Sequence, residues 1–89
     1  MLLDIKQRMQ AVISAEAAAI DAINITDEFE KAVLAMQACQ GKIIATGIGK
    51  AGYIANKFAA TLCSNATPAV FIHPAEAAHG DLGLVSTND

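Results

Sequence analysis

Apolar residues recur at Leu2, Ile5, Met9, Val12, Ile13, Ala17, Ile20 and Ile23. That spacing tracks the 3.6-residue turn and predicts one long amphipathic helix from Leu2 to about Ile23. Its length and its place at the front of the chain suit packing against another subunit as well as against its own core. Asn24-Ile25-Thr26 breaks the pattern, and Asp27 with Glu30 three residues later has the spacing of a capping box, Thr26 being the alternative cap. A second helix is expected there, with Phe29, Ala32, Val33, Met36 and Cys39 on its inner face and Gly41 as a left-handed stop.

The period then changes. Ile43-Ile44-Ala45-Thr46 reads as a short strand, and Gly47-Ile48-Gly49-Lys50-Ala51-Gly52 follows it as a glycine loop. Apolar positions at Ala51, Ile54, Ala55, Phe58, Ala59, Leu62 and Cys63 predict a third helix. Asn65-Ala66-Thr67-Pro68 ends it, because proline disfavours helix in the residue before it and supplies no donor. A second strand, Ala69 to Ile72, leads into His73-Pro-Ala-Glu-Ala-Ala-His-Gly-Asp-Leu-Gly83, read as a functional loop at a strand end. Strand, loop, helix and strand make one βαβ unit with parallel strands and a right-handed crossover. Two strands cannot complete a parallel sheet, and Ser86-Thr87-Asn88-Asp89 is turn-like where a third could start. The expectation is therefore an α/β chain that is the N-terminal portion of a longer domain.

Composition narrows the function classes. The chain has 89 residues, 54% of them apolar but only 4% aromatic, so its core is built from small and aliphatic side chains. A chain of this size buries only about 60% of the surface its unfolded form exposes, which calls for partners or more chain. Six Lys and Arg with a net charge of −3 give no basic stripe for nucleic acid. An acid at Asp4 leaves no apolar core of signal-peptide length, and no apolar run reaches the roughly 20 residues that span a bilayer. A cytoplasmic protein without a membrane span is expected. Cys39 and Cys63 lack redox or zinc-knuckle spacing and read as two reduced, buried thiols.

Two segments carry the candidate chemistry. Gly47, Gly49 and Gly52 match G-x-G-x-x-G, a pattern that lets backbone amides approach an anion at a helix N-terminus. The dinucleotide reading wants an acid after the second strand, where His73 and Pro74 stand. The ATP-type loop fails as well, with Ile44 at its first glycine position and Ala51 where Ser or Thr should be. A phosphate or sugar loop remains, with Lys50 at its tip. Lys50 could pin a phosphate or polarise a carbonyl; otherwise it is a solvated lysine at the unfavourable end of a helix dipole, so its position asks for a reason. Tyr53 is assigned to packing. His79 can serve as acid, base or hydrogen-bond donor, or can be satisfied by a backbone carbonyl or by Asp81. Glu76 lies midway between His73 and His79, but HExxH is absent and a structural zinc is not expected. Ala66-Thr67 reads as loop, with a hydroxyl that could meet a sugar.

Together, Gly47-Ile-Gly-Lys-Ala-Gly52 and His73 to Gly83 resemble the sugar isomerase (SIS) domain family, and most closely its bacterial D-arabinose 5-phosphate isomerases. The resemblance covers the chain from about Gly41 onward and makes residues 1–89 a partial SIS domain. It implies a three-layer α/β/α sandwich on a parallel sheet, here two N-terminal helices followed by the βαβ unit. The implied activity is interconversion of D-arabinose 5-phosphate and D-ribulose 5-phosphate through an enediol, in capsule or lipopolysaccharide (Kdo) sugar synthesis. No organic cofactor is implied, and the assembly would be a dimer or tetramer of identical chains. The family's catalytic lysine falls on Lys50 and its substrate-contacting histidine on His79. Gly47, Gly49, Ala66 and Thr67 fall on the substrate loops, and His73 on a zinc contact that looks incidental or inhibitory.

Three departures stand out. Ala51 replaces a common serine, and Ala66 a common glycine. The phosphate loop, the proton-moving carboxylates and a later histidine would lie beyond Asp89, so these residues alone should not turn over. A non-catalytic phosphosugar-binding module of a regulator is the alternative, and a dinucleotide-binding half-domain a third.

Overall fold

In a computed structural model that describes residues 4–89, the chain divides into two compact units, Met1–Lys31 and Ala32–Asp89. In the first unit, α1 runs Ile5–Asp21 as the apolar period predicts; Leu2, the expected start, lies outside the described residues. Its stripe is open, with Ile5, Met9 and Ile20 between 62% and 75% exposed. The second helix, α2, runs Asp27–Ala38 across the boundary between the units. Asp27 stands in its first turn rather than ahead of it, so Thr26 is the flanking residue and its carbonyl accepts from the Phe29 N–H at 3.1 Å.

The second unit is built on two strands, β1 (Ile43–Ala45) and β2 (Ala69–Phe71), paired in parallel with Ile43 opposite Ala69 and Ala45 opposite Phe71. Each is one residue shorter than expected, yet the Ile72 N–H still donates to the Ala45 carbonyl and Thr46 Oγ1 to the Ile72 carbonyl. Between them α3 (Lys50–Ser64) packs on both strands and buries Gly52 and Ala59, while the sheet buries Ala45 and Ile72. Apart from Ile72 these buried residues are small, which lets the helix lie close to the sheet.

Gly47 and Gly52 are required by the close approach of the glycine loop to the first turn of α3. A Cβ on Gly52 would stand 2.6 Å from the Gly47 carbonyl oxygen, and one on Gly47 2.9 Å from the Ala51 carbonyl, both inside contact distance. Gly41 serves differently from the predicted left-handed cap. α2 ends at Ala38, and Gly41 donates its N–H to the Asn88 carbonyl at 2.9 Å, where a Cβ would run into Asn88 and Asp89.

Asp89 completes that junction. One carboxylate oxygen accepts from the Lys42 N–H at 2.9 Å, while the other meets Lys42 Nζ at 2.8 Å and the Ser86 N–H at 2.7 Å. Its side chain is only 5% exposed. The Lys42 ammonium foremost, then the amides of Ser86 and Lys42, hold its carboxyl down at about 2. The cysteines are both free, but Cys63 is exposed and Cys39 half-buried, so the expectation of two buried thiols fails: the Cys63 thiol reaches the Ala69 carbonyl of β2 at 3.1 Å, and nothing covers it there.

The segment after β2 is helical rather than looped. Pro74–Ala78 forms α4, and a 3₁₀ turn follows at Asp81–Leu84. Pro74 occupies the first helical turn, where its missing N–H costs nothing. Gly80, at φ 129°, makes the bend between the two elements in a region open to glycine.

Candidate functional site

The glycine loop delivers the N-terminus of α3 to the C-terminal end of the sheet. Gly49 flanks that helix at φ 62°, ψ −131°, a conformation a side chain would disfavour, and Lys50 opens the first turn with its side chain exposed. In the first turn of α3 the Gly52 and Tyr53 N–H groups bond the Ile48 and Gly49 carbonyls, so an anion placed there meets the Lys50 and Ala51 N–H groups and a favourable dipole end. Lys50 adds a full positive charge at that point.

Beside this terminus lies a cleft of about 280 Å³, lined by Gly49, Gly52, Tyr53, Asn56, Phe71 and His73. Gly49 and His73 are therefore brought together, from the glycine loop and from the end of β2. Gly47, Lys50, Ala66 and His79 are not part of the lining, and Thr67 faces a separate hollow of about 180 Å³ with Val33, Met36, Gln37 and Leu62. Ala66 takes φ 62°, a left-handed conformation that favours glycine. Tyr53 and Asn56 were not among the expected site residues. Both sit on α3 one turn apart and facing the cleft; the i, i+3 spacing from the glycine loop was the available signal, and Tyr53 is 78% exposed rather than packed.

The two histidines bracket α4. His73 caps it, its Nδ1 accepting from the Ala75 N–H at 3.0 Å, and its ring meets Phe71 edge to face at a centroid distance of 6.4 Å. His79 lies at the other end, its Nδ1 2.9 Å from the Ala75 carbonyl oxygen. With Nδ1 accepting, a neutral His73 carries its proton on Nε2 and has no free lone pair for a metal. The zinc role implied for His73 does not fit this geometry, and among the described residues no three His, Cys, Asp or Glu side chains gather as a metal site.

No protein-family model matches the chain. Individual proteins do. It is 52% identical over 63 residues to arabinose 5-phosphate isomerase GutQ of Escherichia coli strain K12, covering 71% of this chain and 20% of that protein. A crystal structure from Bacteroides fragilis NCTC 9343, described as a phosphosugar isomerase involved in capsule formation, superposes with a TM-score of 0.90 at 42% identity. That match covers 97% of this chain and 47% of the other. The chain resembles these phosphosugar isomerases over the region matched. A second structure, an Escherichia coli CFT073 protein in complex with arabinose 5-phosphate, superposes with a TM-score of 0.83 at 36% identity over 98% of this chain and 49% of that one. The chain spans about a fifth of the length of the first curated relatives it matches.

Proposed function

We propose that the protein interconverts D-arabinose 5-phosphate and D-ribulose 5-phosphate. The observation that carries this reading is the superposition on a solved chain holding arabinose 5-phosphate, over nearly all of the present chain. The reaction moves a proton from C2 to C1 through a 1,2-enediol while the carbonyl passes from C1 to C2, so no electrons leave the sugar and no redox partner is needed. Lys50, mobile and charged at the α3 N-terminus, would balance the negative charge that develops on the enediol oxygens. In this reading Gly47 and Gly49 admit the sugar close to the backbone, Ala66 and Thr67 border it, and His79 contacts it.

The exposed stripe of α1, with Ile5, Met9, Val12, Ile13 and Ile20 all more than half exposed, supports a homo-oligomer in which that face is covered. None of the described helices is long and apolar enough to cross a membrane, which agrees with a cytoplasmic enzyme working on a free phosphosugar. Supply of a precursor for capsule or lipopolysaccharide (Kdo) synthesis is the corresponding pathway role.

The test is Lys50→Ala in the whole protein. Interconversion of the two pentose phosphates, followed by a coupled assay, should fall by about 10³-fold or more, as loss of a preorganised charge in an active site does. Far-UV circular dichroism should be unchanged. A fully active variant would refute the role of Lys50, and a parent protein that binds the phosphosugar without turning it over would make it a binding module instead.

A further inference from the structure

α4 is five residues long, so one residue can belong to its first turn and its last turn at once. Ala75 does. Its N–H is one of the helix's unpartnered donors and goes to His73 Nδ1 at 3.0 Å. Its carbonyl is one of the unpartnered acceptors, because the helix tightens at its end and the His79 N–H bonds the Glu76 carbonyl at 3.1 Å instead. That leaves the Ala75 oxygen for the His79 ring, whose Nδ1 lies 2.9 Å away.

A backbone N–H can only donate and a carbonyl can only accept, which settles where each neutral ring carries its proton. We infer that Ala75 is a positioning residue that fixes the two histidines in opposite tautomers. His73 is held with Nδ1 bare and Nε2 protonated, so its outward nitrogen is a hydrogen-bond donor on the cleft side of α4. His79 is held with Nδ1 protonated and Nε2 bare, so its outward nitrogen is an acceptor, able to take a hydroxyl proton from a sugar. The sugar assignment rests on the isomerase reading, whereas the tautomers do not.

The experiment is a long-range 1H–15N correlation spectrum of the whole protein labelled with 15N-histidine, taken at about pH 8, where an ordinary imidazole is neutral. His73→Asn and His79→Asn, each removing one ring's signals, assign the two. His73 should show a bare Nδ1 and a protonated Nε2, and His79 the reverse. Both rings protonated on Nε2, the form free imidazole side chains prefer, would overturn the inference, as would a proton on Nδ1 of His73. Should either variant fail to fold, neutron diffraction from deuterated crystals of the unaltered protein reads the same positions directly. Opposite tautomers in a protein without isomerase activity would leave this inference standing and remove only the isomerase reading. An active isomerase with matching tautomers would do the converse.

Discussion

Ala66 is the residue at which this chain stores a local cost. It holds φ 62° while carrying a Cβ, and a left-handed L-residue costs roughly 1–2 kcal/mol relative to the ordinary right-handed regions. The turn is nevertheless kept, because the Ala66 N–H bonds the Cys63 carbonyl at 3.1 Å and the Thr67 N–H the Leu62 carbonyl at 2.9 Å, closing the end of α3. Ala66→Gly should therefore stabilise the protein by about 1 kcal/mol, the relieved strain outweighing the greater freedom of glycine when unfolded. Urea denaturation of parent and variant measures it, and a loss of stability would mean that the turn is not strained. Gly49 makes the complementary case, since the same φ there carries no side chain and the loop stays open beside the cleft.

At the level of elements, periodicity made α1, α2, α3 and both strands legible, since each buries or presents one face over several turns or residues. α4 was not. Five residues give no period to detect, and a histidine cap is not among the Ser, Thr, Asp and Asn signals that mark helix starts. Pro74 at the first turn was the only local cue, and it was equally compatible with a loop. The site was legible in part: the glycine loop and the two histidines carry their chemistry in residue type, whereas Tyr53 and Asn56 acquire theirs only by facing His73 across the cleft. The cap itself can be tested. His73→Ala leaves the Ala75 N–H without its acceptor and should cost about 1 kcal/mol, whereas His73→Asn keeps an acceptor at the cap and should cost much less. Hydrogen exchange at Ala77, whose N–H bonds the His73 carbonyl, should speed up in the first variant and stay near the parent rate in the second.

On the scale of the whole molecule, the junction of Asp89 with Lys42 ties the approach to β1 to the turn that follows the 3₁₀ segment. No local pattern announces it, because its partners lie far apart in sequence and both are ordinary surface residue types. Its energetics depend on pH with a definite sign. The folded carboxyl is held at about 2, below the value of about 3.9 for an unfolded aspartate, so folding is favoured when the group is ionised. That stabilisation is present in full above about pH 4 and drains away as pH falls toward 2. Denaturation midpoints measured from pH 6 down to pH 2 should drop more steeply in the parent than in Asp89→Asn. Equal slopes would show that the junction is not held by charge.

The double engagement of Ala75 has a consequence for how such a site can be recognised in evolution. A residue that works through its peptide group alone leaves its side chain free to drift, so position 75 can vary widely while the histidines it orients stay fixed. Proline is the exception, since it has no N–H to give. Substitution patterns would then record the histidines as functional and pass over the residue between them, although the protonation of both depends on it.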